Sequence, residues 1–461
     1  MSTSDHKIDF IESTTDLMNG RAGLSAFSRY VVTVGVLNAL EKEFGSLRKN
    51  SKGLTLRQFF HQTITWMADG TSRHINYFDE LKQDESYAGV IEVSPDELAS
   101  QDAIKRLFKA FRKGHEKKFR DILLEIFLAR IRSEKPQIIS LTLDSMVMDN
   151  DEAEVRHGVE PTYKGKKGFH PVQVIYNGMI IDGIFRNGKS GTHEFKKSKA
   201  MLCRIITAIR EKYDKDVFII VKLDSGYYDQ RLVALLDELR VGFLLTGKNY
   251  ESMREKVIKI PETSWKTLKN DDKQAWSFVE FEYKSDSWPK EYRAFYTQPH
   301  YDEKGEFMLE FARPSNVILT NITKDACFMK KLSIEDRREW LKPTKLILEH
   351  HKRGADELPH RGLKDFGFEQ LPFKNYHANM AVYHVMLISF ALFESFKHDV
   401  LFDVISPTSY ATTVRRKFFD IAGKIVSHSK KIRLRLHEAV LERINFILVW
   451  ERCCTATPLL L

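Results

Sequence analysis

Two aspartates in this 461-residue chain each close a short run of strand-forming residues, Asp144 after IISLTL (138–143) and Asp224 after VFIIVKL (217–223). Carboxylates at the ends of adjacent strands offer oxygen ligands within a few ångströms of each other. That arrangement suits Mg²⁺, which binds through one or two carboxylates plus substrate phosphate. Such a pair can hold two metal ions flanking a scissile phosphate. Either aspartate alone also reads as a strand-end turn or helix-cap residue, and it is their pairing that singles them out. Asp149, Asp151, Glu152 and Glu154 compete for the first role, but they follow the strand in what reads as a mobile loop and rank second.

A third carboxylate is offered by HHKRGADE (350–357), followed by Lys364. At about 100° per residue, His350, Arg353, Glu357 and Lys364 would share one helical face. One acid flanked by two cations is what phosphoryl transfer on DNA requires of a metal ligand beside phosphate-binding groups. An i, i+4 Arg and Glu is equally an ordinary surface ion pair. Pro359 clashes with a straight helix through Glu357, so the helix either kinks there or begins near Leu358.

Other residues carry weaker signals. Lys164, Lys166 and Lys167 suit a DNA-facing loop or a solvated one. Trp265, Trp276 and Trp288 could stack on an unpaired base, although packing in a core or turn explains each. His157, His170 and His193 are scattered and have no cysteine partners, which favours structural or surface roles over metal.

The elements that must position these residues follow from the hydrophobic pattern. After Pro136, three short strands appear, 138–144, 171–176 and 179–185, the last two joined by the hairpin turn Asn177-Gly178. A helix (193–212), a strand (217–223), a helix (229–240) and a strand (241–246) complete the order β-β-β-α-β-α-β. A crossover through the first helix brings the fourth strand beside the first and parallel to it, so that Asp144 and Asp224 become neighbours.

Residues 250–333 read as a β-rich insertion with strands SFVEFEY, RAFYTQ, FMLEFARP and NVILTN between turns. The first 135 residues read as helices. One spans Thr55 to Met67 and is closed by Gly70; another starts at the capping box Ser94-Pro95-Asp96-Glu97. Helical periodicity returns from about Ile334 to the end, with an apolar helix at Tyr376 to Phe396 and a basic region around Arg415 to Arg435. The domain expectation is thus 1–135, 136–249, 250–333, 334–398 and 399–461.

Composition limits the function classes. The chain is 43% hydrophobic and 29% charged, too apolar for disorder and long enough for two to three domains. Seventy-two Lys and Arg against 63 Asp and Glu leave +9, which favours polyanionic partners. The basic excess is marked between Gln101 and Lys135. Apolar stretches such as Met380 to Phe393 fall short of the roughly 20 residues that span a bilayer. No membrane partner is expected. The start, MSTSDHKIDF, has no signal-like segment, and a cytoplasmic protein is expected. Four cysteines lack zinc-knuckle spacing.

Taken together, these residues resemble the DDE-class transposases of bacterial insertion sequences, the cut-and-paste group with a Y-x2-R-x3-E-x6-K signature. The matching residues are His350-x2-Arg353-x3-Glu357-x6-Lys364, LTLDS (141–145) and KLDSG (222–226), with YKGKKGFHP (163–171), LPF-x5-Asn379 and GKIV-x-His428 in support. His350 stands where the signature has tyrosine. The likeness covers most of the chain and is strongest from 141 to 396.

It implies an α/β fold: a ribonuclease-H-like mixed sheet, β-β-β-α-β-α-β-α, with a β-rich insertion and helical N-terminal and C-terminal regions. By the same likeness Asp144, Asp224 and Glu357 would be the catalytic metal ligands for Mg²⁺, which Mn²⁺ can replace. Arg353, Lys364, His350, Lys164, Lys166 and Lys167 would face DNA, and Trp265 or Trp288 would stack beside a DNA hairpin. The N-terminal region would recognise terminal inverted repeats, the C-terminal region could dimerise, and two protomers would pair two ends before joining them to target DNA. An inactive DNA-binding descendant and a nuclease without strand transfer are the alternatives.

Overall fold

Nine strands build one mixed sheet in the computed structural model, which describes all residues except 1–9, 49–52, 154, 191–194, 249, 271–274, 286, 287, 289, 301–314, 353–357, 368, 429, 430 and 461. In chain order the strands are β1 Ile138–Ser145, β2 Val172–Tyr176, β3 Met179–Ile184, β4 Phe218–Leu223, β5 Gly242–Thr246, β6 Lys266–Lys269, β7 Ala275–Tyr283, β8 Tyr292–Pro299 and β9 Asn316–Thr320. Their spatial order is β6-β7-β8-β9-β5-β4-β1-β2-β3. The first five strands form the expected ribonuclease-H-like sheet. β1, β2 and β3 run antiparallel, with Asn177 (φ 44°) and Gly178 (φ 81°) making the left-handed turn that a two-residue hairpin needs. Helix Phe195–Lys212 leads to β4, which lies parallel to β1, and helix Gln230–Glu238 leads to β5, parallel to β4.

Strand alternation divides the sheet into two buried faces. Ile139, Leu141, Leu143, Ile219, Val221 and Leu223 join the larger core. Phe218, Ile220, Leu244 and Ile318 face the smaller one, which is roofed by Trp340, Leu346 and Ile347 of helices Ile334–Leu341 and Pro343–His351.

The insertion differs from the sequence expectation in two ways. A helix, Glu251–Ile258, precedes its strands, so the helix-strand alternation continues one step further. Its last strand, β9, then pairs antiparallel with β5 (Ile318 opposite Thr246), so the insertion prolongs the central sheet instead of forming a separate one. Buried apolar residues on both strands make this the low-cost way to cover the β5 edge. The expected strand FMLEFARP falls within 301–314, outside the described residues.

The N-terminal helices share the larger core with the sheet. Helix Leu56–Asp69 is bounded by a Thr55/Gln58 capping box and by Gly70 (φ 64°), as the sequence indicates. The second capping box behaves differently: Ser94 and Glu97 close only a single 3-10 turn, Pro95–Glu97, and the following helix, Gln101–Ala110, starts at its own cap, Ser100. Helix His115–Glu134 packs on β3 and on helix Tyr376–Asp399. Buried Asp182 of β3 receives Arg120 from the first of these helices (2.7 Å) and Arg204 from helix Phe195–Lys212 (2.7 Å). Helix Tyr376–Asp399 is long and apolar enough to cross a membrane, yet its apolar window is 94% buried among these elements.

Helical periodicity is interrupted before the C-terminus and resumes in helices Glu438–Ile444 and Phe446–Cys454. Gly423–His428 and Lys431–Leu436 form a hairpin whose first strand also pairs with Leu17–Asn19, giving a small sheet that joins the two ends of the chain. Its alternating Lys, Ile, Arg and Leu residues are a period-2 pattern, which charge-rich helices mask.

Candidate active site

Leu143 of β1 and Leu223 of β4 are register partners in parallel strands. The next residues, Asp144 and Asp224, therefore stand one strand spacing apart, about 4.8 Å, on the face roofed by helix Pro343–His351. Asp144 is buried. Its Oδ1 accepts the backbone N–H of Ser145 (2.7 Å), and its Oδ2 lies 3.8 Å from Nδ1 of His360. Asp224 leaves β4 into the turn Ser225–Tyr227, where its Oδ1 accepts from the Gly226 N–H (2.9 Å). Each carboxylate is thus fixed through one oxygen by local backbone, which presets its direction before any ligand arrives.

Behind the pair lies a buried polar layer. Ser145 Oγ is 3.0 Å from His170 Nε2, His170 Nδ1 is 2.7 Å from the Ser190 carbonyl, and Arg186 Nε donates to the His170 carbonyl (2.8 Å). Burial lowers the pKa of His170, Arg186 adds to the effect, and the hydrogen bond to the Ser190 carbonyl opposes it. Tyr227 is buried beside both acids. Burial pushes its phenol well above the usual value, Arg186 opposes that shift, and Asp224 and Asp144 add to it.

The third acid falls on 353–357, so Arg353, Asp356 and Glu357 lie outside the described residues. The described elements on either side place His350 and Lys364 in two helices. One helix ends at His351 and the next begins at Leu358, with Pro359 in its first turn, where a missing N–H costs nothing. His350 and Lys364 thus belong to different helices. His350 is buried, its Nε2 2.9 Å from Thr246 Oγ1 at the end of β5. Lys364 pairs with Glu369, whose Oε1 also accepts weakly from the Asp149 N–H (3.5 Å).

Asp149 does not sit in a loose loop. Met148–Asp149 pairs with Lys167–Phe169, which pairs with Glu160–Pro161 in a small sheet. A Cβ on Gly168 would meet the Met148 carbonyl at 2.0 Å, which accounts for glycine in the YKGKKGFHP run. Lys166 bridges Asp151 (3.1 Å) and Asp149 (3.5 Å), the backbone N–H of Lys167 donates to Asp151, and exposed Lys164 lies over the Tyr163 ring.

The tryptophans are part of the core and its edge. Trp288 is 3% exposed and packs on Tyr228 (4.9 Å) and Tyr292 (5.3 Å); Trp276 is buried near His351; Trp265 lies edge-on to Tyr296 at 6.1 Å. His157 is exposed, and His193 lies outside the described residues.

His360, Tyr227 and Ser145 are the neighbours that sequence reasoning passed over. Only the DS dipeptides following each strand hinted at a polar second layer. Two carboxylates from parallel strand ends match the hard-oxygen donor set that Mg²⁺ prefers. Among the described residues no group of three His, Cys, Asp or Glu converges on a metal position.

A family model described as "Transposase DDE domain group 1" matches residues 13–455. Among solved structures, the chain is similar to a piggyBac transposase in a synaptic complex with hairpin DNA, at 13% identity over 86% of this chain and 80% of that one, with a TM-score of 0.41. A pre-cleavage Mos1 transpososome aligns at 15% identity over 36% of this chain and 58% of that one, with a TM-score of 0.17. No curated protein matches the sequence.

Proposed function

Since the chain belongs to the transposase DDE domain group 1 family, and is thereby a DNA transposase, we propose that it cuts the terminal inverted repeats of a bacterial insertion sequence and joins the freed 3′-hydroxyls to target DNA. In this reading Asp144, Asp224 and Glu357 hold the divalent ions, Mg²⁺ or Mn²⁺. Divalent metal use is general in DDE domains. The observation that carries the assignment is the parallel register of Leu143 with Leu223, which sets two anchored carboxylates side by side.

Divalent ions held by these carboxylates would supply activation of the attacking oxygen and charge neutralisation at the leaving one. The protein's own part is positioning. The N–H groups of Ser145 and Gly226 fix the two aspartates. Glu357 is three positions before His360 in the sequence, and His360 reaches Asp144, which supports Glu357 as the third ligand. Arg353 and Lys364 flank it as phosphate-binding cations, His350 keeps the preceding helix on β5, and Lys164, Lys166 and Lys167 approach DNA from the small sheet. One site serves both steps, because water and a 3′-hydroxyl attack in line at the same phosphate geometry.

The region up to residue 135 supplies end recognition, residues 399–461 contribute to pairing of two protomers, and Trp265 is the more accessible of the two hairpin-stacking candidates. Cleavage of a labelled terminal-repeat duplex with Mg²⁺ or Mn²⁺, followed by joining to a target plasmid, tests the reading. Cutting without joining would reduce the protein to a nuclease, and binding without cutting to an inactive descendant.

A further inference from the structure

An open groove of about 1070 Å³ runs between the N-terminal helices and the segments that carry Asp149, Arg156 and residues 369–375. Lysines and arginines outnumber aspartates and glutamates five to two along its lining. Arg73 follows helix Leu56–Asp69 and Lys109 ends helix Gln101–Ala110. Arg156 follows the turn after Asp151, and Lys374 lies between helices Leu358–Phe366 and Tyr376–Asp399. None of these four has a carboxylate partner among the described residues. Both lining acids do have cationic partners: Asp149 has Lys166 at 3.5 Å and Glu369 has Lys364. The field in the groove is therefore set by its cations, and it favours an extended polyanion.

The position of the groove narrows the partner. Glu369 links its floor to Lys364, which lies on the same helix as His360, and His360 reaches Asp144. We propose that, given a cleavage centre at Asp144 and Asp224, this groove holds the phosphate backbone of the duplex next to the scissile bond. The cations come from four separate segments on two walls, so they suit successive phosphates along a strand better than one small anion. Both the N-terminal region and the core contribute, which makes the groove a joint product of end-recognition and catalytic elements.

Phosphate contacts release counterions, and each one lost makes the slope of log K against log salt shallower by about 0.9 for duplex DNA. The test compares K109Q/K374Q with K215Q/K324Q. The latter pair is equally exposed but lies at the opposite ends of β4 and β9 from Asp224. Binding of a labelled terminal-repeat duplex by the full chain is measured across a salt series, beside cleavage of the same duplex. The groove variant should lose about 1.8 from the parental slope and cut more slowly at raised salt, while the control keeps the parental slope. A parental slope in K109Q/K374Q, an equal loss in the control, or no duplex binding by the parent would overturn the groove assignment. A parent that binds but never cuts would overturn the cleavage reading alone, and the slopes would still decide the groove.

Discussion

Nδ1 of His360 stands 3.8 Å from Oδ2 of Asp144, which joins the first turn of helix Leu358–Phe366 to the end of the first core strand. The positive end of that helix dipole therefore lies beside the acid pair, where negative charge gathers.

Asp144→Asn and Asp224→Asn keep the side-chain shape and remove the charge that would hold metal. Each should lower cleavage and strand transfer together by at least about 10²-fold, the scale of losing one group that stabilises transition-state charge. Duplex binding should be unchanged. Cleavage and gel-shift assays on the same preparations check this, and retention of joining in either variant would dismiss the pair as the metal site.

Glu357→Gln should fail in the same manner, whereas Asp356→Asn and Asp149→Asn should stay near parental activity. The opposite ranking of the first two would move the third ligand by one residue. Lys364→Ala should weaken cleavage and reduce the salt slope by about 0.9. If it cuts as the parent does, its pairing with Glu369 is its whole role.

His61 gives the fold a defined acid sensitivity. Its ring is buried, with Nε2 2.8 Å from Ser28 Oγ, and burial, aided by Arg57, lowers its pKa from 6.5 to about 4. The unfolded chain takes up the proton first. The stabilisation is thus complete above pH 6.5 and is lost as pH falls towards 4, amounting to about 3 kcal/mol at most. His61→Gln should flatten the urea midpoint between pH 7 and pH 4.5. An unaltered pH profile would place the sensitivity in other groups.

Arg415 ties three regions together, donating to the carbonyls of Met67 (2.9 Å), Ala68 (2.8 Å), Asp365 (3.1 Å) and Phe366 (2.7 Å). Two helix ends share one guanidinium, and burial lowers its pKa to about 10. Arg415→Met leaves those carbonyls without their donor and should cost about 3 kcal/mol or more, read as a lower urea midpoint. For the same reason residues 136–461 alone should not fold, since helix Tyr376–Asp399 would lose the apolar partners it has in helices Leu56–Asp69 and His115–Glu134. A cooperative unfolding transition in that fragment would show that the N-terminal region is dispensable for folding.

Strand order and the two aspartates could be read from the sequence because their causes are local: apolar runs of strand length, the Asn177-Gly178 turn, and crossovers that leave few ways to place β4. The acidic pair follows from that order alone. Contacts between distant segments could not be read this way. Burial of Trp288, the merging of the insertion with β5, and the pairing of Leu17–Asn19 with Gly423–His428 depend on which surfaces meet once the chain closes, and no local pattern encodes that. His360 belongs with these. Its sequence position places it on a helix, but only tertiary packing brings that helix to Asp144, because a contact across more than 200 residues is set by the whole core around it.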